Sequence, residues 1–204
     1  MTSSRNRKKI KDRDTELIEA INSGRHELFE ELVKRYEQQL YNFGLRMCGD
    51  AYDAEDVVQD TFLNVFRYLK DFRHETKFKN WLYRIGASIC IKKRRKSKFA
   101  PEREISLDDF LPEENAKGPT DIPNWAQLPL DQVLNEELFQ HLKEAILSLP
   151  EKYRVIVVLR DVEGFSTAET AHILELRRSN VKVRLHRARL YLRDQLRGYF
   201  EYDQ

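Results

Sequence analysis

Three clusters of side chains in this chain have the types and spacing to bind a charged partner. The first is acidic, Asp53-Ala54-Glu55-Asp56-Val57-Val58-Gln59-Asp60-Thr61-Phe62, and Asp53, Asp56 and Asp60 share one helical face. The second combines rings and cations, Phe78-Lys79-Asn80-Trp81-Leu82-Tyr83-Arg84 followed by Lys92-Lys93-Arg94-Arg95-Lys96. The third is the stretch 177–197, with eight bases against one acid. Carboxylates repel a phosphate backbone, whereas cations pair with phosphates and exposed rings stack on unpaired bases. Acid and base placed so close together point to a protein partner on one surface and nucleic acid on another.

Each cluster has a plainer alternative. The acidic face has carboxylates suitable for a metal, but no histidine joins them and no second carboxylate motif recurs, so no metal site is expected. A helix N-terminal dipole accounts for Asp53, Glu55 and Asp56, yet less well for Gln59 and Asp60 a turn further in. A docking surface for a basic protein remains. The rings at 78, 81 and 83 cannot all face one core, so Phe78 and Trp81 are either buried or set against unstacked bases. The cations at 92–96 suit a helix C-terminus as well as a phosphate. His26, His74, His141, His172 and His186 are scattered, and no glycine-rich phosphate loop or nucleophile motif occurs. Neither an enzyme nor a cofactor is expected.

These groups need elements to position them. The 204 residues are 41% hydrophobic and 34% charged, enough for one large domain or two small ones. The net charge of +2 conceals blocks of opposite sign, since residues 101–137 hold ten acids and two bases. Cys48 and Cys90 have no metal or redox spacing and read as buried free thiols. The polar, basic start Met1–Asp14 is no secretory signal, and no apolar run approaches the roughly twenty residues that span a bilayer. A cytoplasmic protein without direct membrane insertion is expected.

Apolar spacing of three and four predicts helices nearly throughout. The first, Thr15–Asn22, is closed by Ser23-Gly24. The second carries Phe29, Leu32, Val33, Tyr36, Leu40, Phe43 and Met47 on one stripe and ends at Gly49-Asp50. The third runs from Asp53 to Leu69 with Val58, Phe62, Val65, Phe66 and Leu69 inward, and a fourth starts at Phe78 and ends in the basic cluster. Residues 99–130 hold five of the six prolines and no amphipathic repeat, which predicts an extended linker. Helices follow at Asp131–Leu147 and Glu151–Val162. Ser166 with Glu169 forms a capping box that starts a short helix ending near Leu174. The last helix runs from Arg178 towards Tyr199. The predicted fold is all-α. It has a basic tail at 1–14, a helical domain at 15–98, an acidic, proline-containing flexible linker at 99–130 and a helix-turn-helix domain at 131–204.

At 100° per residue, Val181, Leu185, Ala188 and Leu192 line one side of the last helix. Ser179, Val183 and His186 lie opposite, flanked by Lys182 and Arg187. Such a helix in a major groove turns those residues to base edges and leaves Arg177, Arg178, Arg184, Arg189 and Arg193 for phosphates. The alternative is a solvated basic helix.

With these motifs assembled, the chain resembles the extracytoplasmic-function sigma factors, the minimal two-domain branch of the main bacterial sigma factor family. The resemblance covers approximately Leu28–Lys96 and Asn135–Leu196. It rests on the acidic motif, on Phe78-Lys79-Asn80-Trp81-Leu82-Tyr83-Arg84-Ile85, on Leu149-Pro150-Glu151-Lys152-Tyr153-Arg154, and on Val181-Lys182-Val183-Arg184-Leu185-His186-Arg187-Ala188-Arg189. It implies a promoter-specificity subunit that binds core RNA polymerase through the β′ clamp coiled coil and the β flap, and opens promoter DNA. The first domain corresponds to region 2 and the second to region 4. Asp53, Asp56, Gln59, Asp60 and Phe62 are then the polymerase-binding positions. The −10 element falls to His74, Thr76, Lys77, Phe78 and Trp81, with Lys92, Lys93 and Arg95 on the backbone. The −35 element falls to Arg178, Ser179, Lys182, Val183, His186 and Arg187. The acidic linker is expected to thread the polymerase's RNA path, and an anti-sigma factor is an expected partner. The chain departs from the family at Ser88, where asparagine is common, at Val183, where a small polar residue is common, and at Glu175-Leu176-Arg177-Arg178-Ser179, where the family has a Gly-Ile-Pro-Val-Gly turn. A stand-alone helix-turn-helix regulator leaves the acidic helix and the aromatic run unexplained. A helical interaction adaptor leaves the arginine-rich helix unexplained.

Overall fold

A computed structural model describes residues 9–96 and 136–201, and among them every regular element is helical. The acidic segment 99–130 and residues 1–8 of the basic tail lie outside the described residues. The chain divides into two compact units, the first built mainly from the helices before residue 97 and the second from those after 135. None of the described helices is long and apolar enough to cross a membrane.

The first unit holds α1 (Thr15–Asn22), α2 (Phe29–Cys48), α3 (Ala51–Tyr68) and α4 (Phe78–Lys96). Helix α1 stops at Gly24, whose φ of 114° suits a residue without a side chain. The stripe of α2 forms the centre of the core, with Leu32, Tyr36, Leu40 and Phe43 each no more than 1% exposed. Burial of such side chains contributes about 1.5–3 kcal/mol each. Helix α3 begins where Asp50 accepts a hydrogen bond from the Asp53 amide at 3.0 Å, an N-cap that satisfies one orphan donor. It crosses α2 in direct backbone contact, for a Cβ on Gly44 would lie 3.0 Å from the Cα of Ala54. Gly86 allows α4 the same approach, with Leu40 Cδ1 at 3.0 Å from the place its Cβ would take.

Two sequence expectations for α3 are corrected. Val58 is half-buried, and Phe66 is 53% exposed, leaning edge-on against Phe29 at 5.1 Å. The close Gly44–Ala54 crossing turns the line Ala54, Val57, Thr61 and Val65 inward, which rotates Phe66 to the surface. Cys90 is buried as expected, whereas Cys48 is only partly covered.

The second unit holds α5 (Glu136–Ser148), α6 (Glu151–Val157), α7 (Thr167–Ile173) and α8 (Arg178–Glu201). Residues 131–135, expected in α5, lie outside the described residues. The expected helix over 151–162 is α-helical only to Val157 and closes with a π turn, Val158–Val162. Buried Arg154 donates from Nη2 to the carbonyls of Leu147 and Leu149, the latter at 2.9 Å, so the loose C-terminal carbonyls of α5 neutralise it. The capping box is present: Ser166 Oγ accepts from the Glu169 amide at 3.2 Å and Glu169 Oε2 accepts from the Ser166 amide at 3.0 Å. Helix α8 packs on α5, α6 and α7. It does so through Val181, Leu185, Ala188 and Leu192, the stripe that the angular spacing predicts, and each is at most 8% exposed.

Candidate nucleic-acid interface

Helix α3 turns its acidic face outward. Glu55, Asp56, Gln59 and Asp60 are exposed and Asp53 is half-exposed, but Phe62 is 7% exposed and belongs to the core. The expectation that the Phe62 ring meets a partner is therefore corrected, because the i, i+4 step from buried Val57 and Thr61 carries it inward with them. The outward apolar groups are Leu63 and Phe66, 56% and 53% exposed. With Asp56, Gln59 and Asp60 they form one stripe at i, i+3, i+4, i+7 and i+10 spacing. Sequence periodicity missed both, since Leu63 and Phe66 carry no polar signal.

The acidic face is not independent of the basic one. Lys93 Nζ lies 2.9 Å from Asp53 Oδ1 and 2.7 Å from Asp56 Oδ2. Burial alone lowers the Lys93 pKa, and the two carboxylates more than offset that, so the ammonium is held above its ordinary value. A cation assigned to DNA thus bridges two acids assigned to polymerase.

The aromatic run packs differently from the expectation. Phe78 is fully buried, edge-on to Tyr36 at 5.6 Å and to Phe72 at 5.9 Å, so its ring supports the surface and does not reach a base. As the first residue of α4 it enters under the loop, and its partners α2 and Phe72 close over it. Trp81 is only partly covered and lies flat on Phe72, ring centres 5.0 Å apart. In the loop before α4, His74 is buried against Phe72 at 4.7 Å with φ of 57°, while Lys77 is exposed. His74 therefore shapes the loop from beneath and cannot reach a ligand with its ring. Thr76 Oγ1 accepts from Asn80 Nδ2 at 3.3 Å.

Between α3 and α4 runs a surface groove of about 450 Å³, lined by Asn64, Tyr68, Trp81, Arg84, Ile85, Ser88, Ile89 and Lys92. It brings together an indole, a phenol and two cations. Flat rings suit an unstacked base, and the cations beside them suit its phosphates. Tyr68, Arg84 and Asn64 were not singled out from sequence. Their signal is cross-helical, because Asn64 and Tyr68 matter only once α4 lies alongside. Ser88 lines the groove where the family commonly has asparagine. The Arg95 side chain lies outside the described residues.

On α8, Arg178, Ser179, Lys182 and Val183 are exposed and His186 and Arg187 partly so, all on the side opposite the packing stripe. The αL residue Glu175, at φ 55°, takes the turn between α7 and α8 without a glycine. Arg189 is removed from the phosphate set. Its Nε and Nη2 donate to Asp161 Oδ2 and Oδ1 at 2.9 and 2.6 Å, and Asp161 is almost buried. That bidentate pair fastens α8 to the π turn.

Comparison with known proteins agrees with this layout. The family described as Sigma-70 region 2 matches residues 32–100, and Sigma-70 region 4 matches residues 139–192. The ECF RNA polymerase sigma factor SigW of Bacillus subtilis is 32% identical over 186 residues, covering 88% of this chain and 95% of that protein. Among solved structures, CnrH in complex with the cytosolic domain of CnrY is 25% identical with a TM-score of 0.64, over 92% of this chain and 99% of that one. The sigma factor RpoE of Bartonella quintana, in complex with the anti-sigma factor NepR, is 25% identical with a TM-score of 0.58, over 83% and 96%. With regions 2 and 4 in that order on the two helical units, and a full-length relative at this identity, the chain belongs to the ECF RNA polymerase sigma factors.

Proposed function

We propose that this sigma factor docks on the β′ clamp coiled coil of core RNA polymerase through Asp53, Asp56, Gln59, Asp60, Leu63 and Phe66. It takes the melted −10 strand along the groove of Trp81, Tyr68, Arg84 and Lys92, with Lys77, Lys93 and Arg95 on the backbone. It reads the −35 element through Arg178, Ser179, Lys182, Val183, His186 and Arg187, its second domain meeting the β flap. Phe62, Phe78 and His74 support these surfaces from inside, and Thr76 holds the loop to α4 through Asn80. It performs no chemistry itself and works in the cytoplasm, where polymerase is. The observation that carries the reading is the groove that sets an exposed indole and phenol beside two cations.

Two of the solved relatives are complexes with a further protein, named in one case as an anti-sigma factor, and this supports a regulator of that kind here. The decisive experiment is run-off transcription with purified core polymerase. The full chain is expected to bind core and direct initiation at discrete sites, and Trp81→Ala to lose opening while retaining core. A chain that binds duplex DNA but never core belongs instead to a stand-alone regulator.

A further inference from the structure

The segment before α1 is bonded to the loop before α4. The Ile10 amide donates to the His74 carbonyl at 2.7 Å, and Asp12 Oδ2 accepts from the Phe78 amide at 2.7 Å. Phe78 is the first residue of α4, so its N–H has no partner within the helix. The residue before it, Lys77, has a side chain that only donates and cannot cap it. An acid sixty-six positions earlier in the chain fills that role.

Asp12 is itself held in place. Its Oδ1 accepts from the Asp14 amide at 3.0 Å and from Thr15 Oγ1 at 3.1 Å, and Thr15 Oγ1 accepts from the Asp12 amide at 2.9 Å. One residue on, the buried Asp14 carboxylate accepts from Tyr36 Oη and, at 2.8 Å, from Arg35 Nη1. The segment is thus anchored on α2 at one end and on the loop at the other. His74 sits in the left-handed region that non-glycine residues rarely adopt, and the bond from Ile10 fixes its peptide there. Between and beside these anchors, Lys9 and Lys11 are exposed, on the same side of the unit as exposed Arg73 and Lys77. Arg13 is otherwise engaged, its guanidinium 5.3 Å from the Tyr36 ring centre.

We propose that residues 9–12 are part of the −10 site: Ile10 and Asp12 position the 73–77 loop against α4, and Lys9 and Lys11 contact DNA phosphates beside it. This rests on the reading of that loop and the adjoining groove as the site of the melted strand. Asp12 is a positioning residue that acts through the loop, and the lysines are direct but sequence-blind contacts.

The test uses the full chain bound to core polymerase. A promoter is selected with the wild-type holoenzyme from a randomised duplex pool, and 2-aminopurine in its melted strand reports opening. Asp12→Ala is expected to lower the open fraction about five- to tenfold, with core affinity unchanged within about twofold. Asp12→Asn keeps an acceptor oxygen and is expected to restore opening. The double variant Lys9→Gln/Lys11→Gln is expected to weaken binding of that DNA and of scrambled single strands alike, and to flatten the salt slope by about 1.4. Unchanged opening in Asp12→Ala, or an unchanged salt slope in the lysine variant, overturns the proposal. So does a parallel fall in core affinity with Asp12→Ala, which makes the segment a structural brace only. A wild-type holoenzyme that selects no promoter sinks the −10 reading itself, a result distinct from the others.

Discussion

Lys93 and Tyr36 show how single side chains carry more than one task in this molecule. Lys93 ties Asp53 and Asp56 to the end of α4, so each carboxylate is partly neutralised before any partner arrives. All three groups reach solvent, and such pairs contribute only about 0.2–1 kcal/mol each. Lys93→Met is expected to lower thermal stability slightly at low salt and not at all near 1 M salt, where screening removes the pair. A melting temperature that drops equally at both salts would mean packing is lost instead. Tyr36 is pushed up to about 12 by burial, helped by its hydrogen bond to Asp14. A raised folded pKa favours the protonated phenol, so this contribution is complete below about 10 and is lost as pH rises from about 10 to about 12. Urea melts across that window should therefore show a steeper fall for wild type than for Tyr36→Phe. Equal slopes would mean that the phenol does not titrate within the fold.

At the scale of elements, α3 and α8 are both two-faced helices, and in each the split between inward and outward faces decides function. On α3 the pair Leu63→Ala and Phe66→Ala should leave stability within about 0.5 kcal/mol, because both side chains are largely in solvent. The same pair should cost core-polymerase affinity about 2 kcal/mol or more, as central apolar anchors do. An unchanged affinity would restrict docking to the carboxylates. On α8 two cations should respond in opposite ways. Lys182→Ala is expected to weaken upstream-element binding by about 1–3 kcal/mol without loss of stability. Arg189→Met strands the nearly buried Asp161 and should cost about 3 kcal/mol of folding stability. Equal stability losses would erase the distinction between a DNA cation and a structural one.

For the whole molecule, the division into two units makes a prediction of its own. Each unit has its own core and its own capped helices, so residues 1–98 and 131–204 expressed apart should each melt cooperatively. The first is expected to keep core affinity and the second weak duplex binding, while neither alone directs initiation. A fragment that unfolds without its neighbour would show that the two share one core. Nearly all of this architecture was legible in sequence, since apolar spacing marks helices, a capping box marks α7, and the proline-rich acidic block separates the units. Turn geometry was less legible: Val158–Val162 closes as a π turn, which no hydrophobic repeat encodes.

The sequence by itself determined the helices, the packing stripe of α8, the charge blocks and the family, because periodicity, composition and motif order are properties of neighbours along the chain. Only the tertiary structure decided which rings are walls and which are surface. Phe62 and Phe78 went to the core and Phe66 and Trp81 to the outside, because the Gly44–Ala54 crossing sets the rotation of α3 and the loop sets the entry of α4. It also decided that Arg189 serves Asp161, that Lys93 spans two surfaces, and that Asp12 caps α4 from far away in sequence. Such pairings depend on distances through space, which one-dimensional spacing does not contain.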